Sequence, residues 1–86
     1  MTGKPDRITR KINGEADKLR SLNKKLTKKD ARYMVLDAMF DDLPDGAYFA
    51  AMQEYGYESE DLIECNERVV ALGFYKWVKY TCIHHL

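Results

Sequence analysis

Histidine and proline are scarce in this chain of 86 residues, with two of each, and no long apolar run occurs. Both histidines lie within the last three residues, so a Ser/His/Asp or Cys/His catalytic set is not expected. No glycine loop of the phosphate-binding pattern is present. The start, MTGKPDRITRK, is polar, and no apolar run approaches the ~20 residues of a membrane span. We therefore expect a non-enzymatic, cytoplasmic protein.

Cysteine is equally sparse, with Cys65 and Cys82 as its two occurrences. On one helix they would lie roughly 25 Å apart at 1.5 Å per residue, whereas a disulfide needs Cα atoms within about 7 Å. Free thiols in a reducing compartment are therefore expected. With His84 and His85 the cysteines offer zinc-ligand types, but their spacing matches no zinc finger. We expect neither a metal nor a cofactor.

Charge is abundant and unevenly distributed. The chain holds 14 Lys/Arg and 14 Asp/Glu, for a formal net charge of zero. Residues 1–32 nevertheless carry a net +7, and residues 33–86 carry a net −7. Such asymmetry indicates either an electrostatic partner or two halves that neutralise each other in the fold or in a dimer.

The apolar spacing of residues 6–26 is typical of a helix that packs on one neighbour. Its apolar side chains fall in one narrow stripe at 100° per residue: Ile8, Ile12, Leu19, Leu22 and Leu26. Thr27, followed three residues later by Asp30, is close to a capping box and predicts the start of a second helix. Residues 30–42 are apolar nearly all round, so this helix should be the central and most buried one.

Turn residues predict two further helices. Asp45 should cap a helix from Gly46 to Tyr55, and Gly56 is suited to the positive φ that ends it. Ser59 should cap a last helix whose apolar face, from Leu62 to Ile83, is too wide for one neighbour. Its final part, GFYKWVKYTCI, also has the composition of a strand, but we favour a helix because a strand would need a second strand from a dimer.

We predict a single all-α domain over residues 1–86, a small bundle of about four helices with residues 1–5 disordered. For the first helix we keep three alternatives: it lies in the bundle, it is extended, or it packs on a partner subunit. The leftover apolar surface of the first and last helices predicts a homodimer or larger assembly.

Two segments match known motifs only in part. Residues 50–64, AAMQEYGYESEDLIE, have the outline of a DNA-binding helix–turn–helix. The second helix carries four carboxylates before Arg68, its first cation, so it is unsuited to a groove walled by phosphates. Residues 41–52 resemble a calcium loop but have Leu43 and Met52 where oxygen ligands are required.

Acidic side chains and tyrosines of the second half are predicted to form a protein-binding surface. Tyrosine is enriched at interface hot spots, and carboxylates can meet a basic protein surface or imitate nucleic-acid phosphates. The candidate residues are Asp41, Asp42, Asp45, Tyr55, Tyr57, Glu58, Glu60, Asp61, Glu64 and Glu67. We therefore expect a small non-catalytic regulator or inhibitor of another protein, and such a small chain would suit a viral accessory protein.

A basic row on the first helix supports an alternative class of function. The basic row consists of Arg7, Lys11, Lys18 and Lys25 and runs beside the apolar stripe. It could grip nucleic-acid phosphates, or pair with acids of a neighbour as e and g positions of a coiled coil do. We expect charge pairing. A row that faces solvent continuously would favour nucleic acid, and a neutralised row would favour protein binding.

Overall fold

The computed structural model describes residues 7–73, and these form a small all-α bundle, as predicted. Its elements are α1 (Arg7–Leu22), α2 (Lys28–Phe40), α3 (Asp45–Glu54) and α4 (Ser59–Leu72). Helices α1, α3 and α4 all pack against α2. No strand occurs between residues 7 and 73. The predictions for residues 1–5 and for the segment after Gly73 lie outside the described residues.

Helix α1 is shorter than its apolar stripe suggested, because it ends at Leu22. Its buried positions are Ile12, Glu15, Ala16 and Leu19. Leu22 is 63% exposed and Ile8 is 48% exposed, so the two ends of the stripe face solvent. The chain turns at Asn23, whose N–H donates to the carbonyl oxygen of Leu19 at 2.9 Å. Leu26 consequently enters the core from the loop and not from the helix.

Helix α2 is the central element, as its all-round apolar pattern predicted. Thr27 Oγ1 accepts a hydrogen bond from the N–H of Asp30 at 3.0 Å, which caps the helix where expected. Eight of its side chains are buried: Asp30, Ala31, Tyr33, Met34, Val35, Leu36, Asp37 and Ala38. The two aspartates are the exceptions to the apolar pattern, and both have partners described below.

The caps of α3 and α4 differ from the predicted ones by one residue. Pro44, and not Asp45, occupies the N-cap of α3. Glu58, and not Ser59, occupies the N-cap of α4, because its backbone is still extended, with a φ of −112° and a ψ of 172°. Its N–H donates to Asp61 Oδ2 at 3.4 Å. At the other end Gly73 adopts a φ of 73°, the left-handed conformation that favours glycine. The prediction of one continuous helix from Leu62 to Ile83 is therefore wrong, because α4 ends at Leu72.

The glycine turn between α3 and α4 is as predicted. Gly56 has a φ of 95°, which a residue with a Cβ adopts only at a cost. The turn lets Tyr57 fold back, and its N–H donates to the carbonyl oxygen of Met52 at 3.2 Å. This turn sets the positions of α3 and α4 on the central helix.

Candidate functional site

An apolar groove of about 370 Å³ lies between α3 and α4, and we name it the α3–α4 groove. Its lining residues are Tyr33, Tyr48, Phe49, Ser59, Leu62, Ile63, Asn66 and Glu67. Phe49 is 47% exposed and Ile63 is 63% exposed. Two large apolar side chains on facing helices therefore present surface to solvent within one concavity.

The groove exists because the apolar face of α4 is wider than the contact with α2. Leu62, Cys65 and Val69 are buried on the side facing the core. Ile63 and Val70, seven residues apart and thus nearly aligned along the helix, lie on the adjoining side. Both are exposed. The wide apolar face predicted for the last helix is confirmed over the residues of α4.

Hydroxyl groups and one buried carboxylate lie beneath the groove. Tyr48 donates its hydroxyl hydrogen bond to Asp37 Oδ1 at 2.5 Å. Asp37 is buried, and its Oδ2 has no hydrogen-bond partner among residues 7–73. Burial and then the hydrogen bond to Asp37 raise the pKa of Tyr48. Burial and then the Asp37 charge raise the pKa of Tyr33 to about 12. Both phenols therefore stay protonated at neutral pH, which suits binding more than proton transfer.

Two of the predicted acidic residues are engaged in ion pairs within the fold. Lys29 Nζ contacts Asp61 Oδ1 at 2.7 Å, and Arg68 contacts Glu64 Oε1 at 2.9 Å. The hydrogen bond from Lys29 lowers the pKa of Asp61. Asp61 thereby contacts the first turn of α2, whereas Glu64 pairs within α4, and neither carboxylate lines the groove.

Three other predicted acidic residues lie on the two helices that form the groove. Glu67 lines it. Glu60 is exposed and precedes Glu67 by seven residues, so it lies along the same side of α4. Asp45 is exposed and lies one helical turn before Phe49 on α3. The groove therefore has an apolar centre with Glu67 at its margin, and helical spacing places Glu60 and Asp45 on the same sides of α4 and α3 as its lining residues.

The remaining predicted residues are scattered over the molecule. Asp41 and Asp42 are exposed in the turn before α3, and Glu58 is exposed at the N-cap of α4. Tyr55 is half-buried, with its ring centroid 6.2 Å from that of Phe40. The structure therefore places these four residues in three different elements of the chain, outside the lining of the groove.

The assignment of Tyr57 to an exposed surface is wrong. This side chain is 2% exposed. Its hydroxyl donates to the carbonyl oxygen of Lys29 at 2.7 Å, and its ring meets that of Tyr33 edge-on with centroids 6.1 Å apart. Tyr57 anchors the α3–α4 turn to α2 and belongs to the core.

All four members of the basic row are exposed. The prediction of one continuous row on the first helix is wrong for Lys25, because α1 ends at Leu22 and Lys25 lies in the following turn. Lys18 Nζ lies 3.6 Å from Glu15 Oε2 of the same helix. Within residues 7–73 the row forms no ion pair with another helix. Pairing with a second subunit stays a prediction.

Sequence reasoning missed the charged residues of α2. Asp30 is 2% exposed and contacts Arg68 at 3.4 Å. Burial and then the neighbouring Asp30 carboxylate raise the pKa of Cys65 to about 11. Arg32 is half-buried between the clefts described below. The available signal was the presence of Asp30, Arg32 and Asp37 in an otherwise apolar segment.

Neither a metal site nor a bilayer-crossing helix is found in the described range. Among residues 7–73, no three His, Cys, Asp or Glu side chains are grouped so that they could hold a metal ion. The candidates Cys82, His84 and His85 lie outside that range. None of the described helices has the length and apolar character that a membrane crossing requires. No protein-family model, curated protein or solved structure matches the chain.

Proposed function

We propose that this protein is a non-catalytic regulator that binds another protein through the α3–α4 groove. The observation that carries the proposal is the exposure of Phe49 and Ile63 in one concavity. Grouped exposed apolar side chains are typical of protein interaction sites. A groove between two helices suits an amphipathic helix, whose anchors at i, i+3 or i+4, and i+7 would fill it.

The acidic margins define the chemistry of the partner. Asp45, Glu60 and Glu67 would face the flanks of a helix seated between α3 and α4. We therefore propose a partner helix with an apolar face flanked by lysine or arginine. Pairs at such a rim contribute only about 0.2–1 kcal/mol each. Their role would be to set the orientation and the association rate, while the apolar anchors supply most of the affinity.

The chemistry of the groove supports a binding role, and we propose regulation or inhibition on that basis. The phenols of Tyr33 and Tyr48 have raised pKa values, and the groove has no nucleophile–base pair among its lining residues. The protein would inhibit its partner by covering a helix that the partner needs for another interaction. Cys65 is a free and buried thiol, which is compatible with the reducing cytoplasm where we place the protein.

Aspartate substitution at Ile63 tests the proposal, with Leu22→Asp as its matched control. Both side chains are 63% exposed and helical, but Leu22 is on α1. Helical peptides are first selected against the wild-type protein from a library in which apolar face and flanking charge vary independently. We expect the selected peptides to be basic and amphipathic. Ile63→Asp should abolish their binding in calorimetry, and Leu22→Asp should retain it.

Other occupants of the groove give different results. Light scattering of the wild-type and variant proteins reports whether a second copy covers it. A wild-type dimer that Ile63→Asp converts to a monomer, together with no selection of basic peptides, would contradict the proposal and assign the groove to self-association. Selection of acidic peptides would contradict the proposed role of the carboxylate margins.

Nucleic-acid binding is a second candidate, favoured by the exposure of the basic row. Four phosphate contacts predict a log–log salt slope near −0.9 per contact, or roughly −3.6 in total. We would measure binding to mixed-sequence DNA and RNA across ~50–200 mM salt. Lys11→Glu/Lys18→Glu should abolish such binding, whereas Glu60→Gln/Glu67→Gln should leave the slope unchanged. Absence of binding at the lowest salt would exclude this candidate.

A further inference from the structure

A second cleft, of about 420 Å³, lies at the first turn of α2 and the turn that joins α3 to α4. We name it the cationic cleft. Its lining residues are Lys28, Lys29, Arg32, Tyr55, Gly56 and Tyr57. Half of them are cations, and no carboxylate is among them. The cleft is therefore electropositive, in contrast to the α3–α4 groove.

Two of the three cations are available to a ligand. Lys29 is engaged, because its Nζ contacts Asp61 at 2.7 Å. Lys28 is exposed and forms no ion pair within residues 7–73. Arg32 is half-buried, and its Nε is buried without a hydrogen-bond partner in the described part of the chain. A buried donor without a partner costs about 1–3 kcal/mol. The fold therefore leaves one donor of the Arg32 guanidinium, its Nε–H, unsatisfied.

We propose that the cationic cleft binds a phosphate monoester. The guanidinium of Arg32 presents a planar fork of donors that matches phosphate oxygens, and Lys28 adds a mobile point charge. Both residues are close to the start of α2, where the helix dipole also favours an anion. The two cations supply the main attraction for the phosphate, and the helix N-terminus adds to it.

The aromatic wall of the cleft indicates that the ligand has an organic part. The volume of the cleft exceeds what a bare phosphate ion needs, and the half-buried Tyr55 offers an apolar surface beside the cations. An adjoining cleft of about 530 Å³ shares Arg32 and Tyr55 but contains Glu54, which repels anions. The phosphate therefore lies on the Lys28 side of Arg32, and the organic body lies along Tyr55.

Titration of the full-length, ¹⁵N-labelled protein with phenyl phosphate tests the assignment. Adenosine monophosphate and inorganic phosphate are parallel probes, and phenol is the control without the anion. All titrations are run at constant ionic strength. We expect saturable shifts of the Gly56 amide and the Arg32 Nε–H, with both monoesters binding more tightly than inorganic phosphate. The tighter monoester indicates whether an aryl phosphate or a nucleotide is the better mimic of the ligand.

Arg32→Gln is the decisive variant, with Lys24→Gln as its matched control. Lys24 is an exposed cation of the turn before α2 and does not line the cleft. Arg32→Gln should weaken phenyl phosphate at least tenfold, or about 1.4 kcal/mol, while Lys24→Gln should change its affinity less than twofold. Lys28→Gln gives a second reading if Arg32→Gln disturbs the fold in circular dichroism.

The groove variant Ile63→Asp separates this site from the proposed protein interaction. It should bind phenyl phosphate as the wild type does, because Ile63 does not line the cationic cleft. Equal weakening by Arg32→Gln and Lys24→Gln would overturn the proposal in favour of general attraction to the basic half. Shifts spread along the basic row, or phenol shifting the same amides as phenyl phosphate, would overturn it as well.

Discussion

Replacing Tyr57 by phenylalanine removes one buried hydrogen bond while keeping the ring. The lost bond joins the Tyr57 hydroxyl to the carbonyl oxygen of Lys29 at 2.7 Å. A neutral hydrogen bond contributes about 0.5–1.5 kcal/mol net. The ring itself remains packed edge-on against Tyr33. We expect the free energy of unfolding to fall by about 1 kcal/mol, and Tm by about 4–8 °C for a domain of this size.

Replacing Tyr57 by alanine also removes the ring and leaves a cavity between the α3–α4 turn and α2. Deletion of a buried aromatic ring costs about 3–5 kcal/mol, a large share of the ~5–15 kcal/mol that stabilises a typical domain. Phe49→Ala is the matched control, because Phe49 is 47% exposed. It should cost much less.

Urea unfolding followed by far-UV circular dichroism measures all three variants. The expected order of destabilisation is Tyr57→Ala, then Tyr57→Phe, with Phe49→Ala well below Tyr57→Ala. If Tyr57→Ala unfolds at the wild-type urea concentration, then Tyr57 is not a core residue and its described position is refuted. The same result would restore Tyr57 to the candidate binding surface.

Three further predictions concern the caps, the pH dependence and the thiol. Thr27→Ala should cost about 1 kcal/mol in urea unfolding because it removes the cap of α2, whereas Ser59→Ala should be close to neutral because Ser59 is not the N-cap of α4. The Lys29–Asp61 pair lowers the pKa of Asp61 from 3.8 and raises the pKa of Lys29 from 10.5. The pair therefore stabilises the fold fully between pH 3.8 and pH 10.5. This stabilisation is lost as the pH falls through the folded-state pKa of Asp61 or rises through the folded-state pKa of Lys29. Asp61→Asn should flatten both limbs of the stability–pH profile, and an unchanged profile would contradict the pairing. Cys65 is buried, and burial raises its pKa to about 11, so it should react with a disulfide reagent at pH 8 only after unfolding. The reaction is measured in a variant whose other cysteine is replaced by serine. Rapid reaction of the folded protein would contradict the burial of Cys65.

The central helix was predictable because its signals are local. Thr27 and Asp30 are three residues apart, and the apolar pattern of residues 30–42 needs no knowledge of neighbours. The ends of α1 were less predictable. Periodicity placed Leu22 and Leu26 on one stripe, but the chain leaves the helix between them, so one is exposed and the other buried. Turn geometry decided this, and hydrophobic spacing does not encode it.

The candidate site was predictable in composition and not in arrangement. Carboxylates are visible in the sequence, but Lys29 lies 32 positions from Asp61, and their pairing depends on how α4 packs on α2. The same packing pairs Asp30 with Arg68 across 38 positions. Tyr57 was assigned to the binding surface because tyrosine is enriched at interface hot spots. It is buried because the α3–α4 turn directs it back onto α2.

The weak attachment of α3 has a consequence for how the groove responds to its occupant. Met52 is the fully buried residue of α3, and the helix contacts α2 but buries little else. Segments with few buried contacts open locally at a fraction of the global free energy of unfolding. The amide protons of α3 should therefore exchange with deuterium well before those of α2. The α3 wall of the groove can then adjust to partner helices of different diameter. Binding of a partner should slow the deuterium exchange of the amide protons of residues 45–54 before it affects other segments.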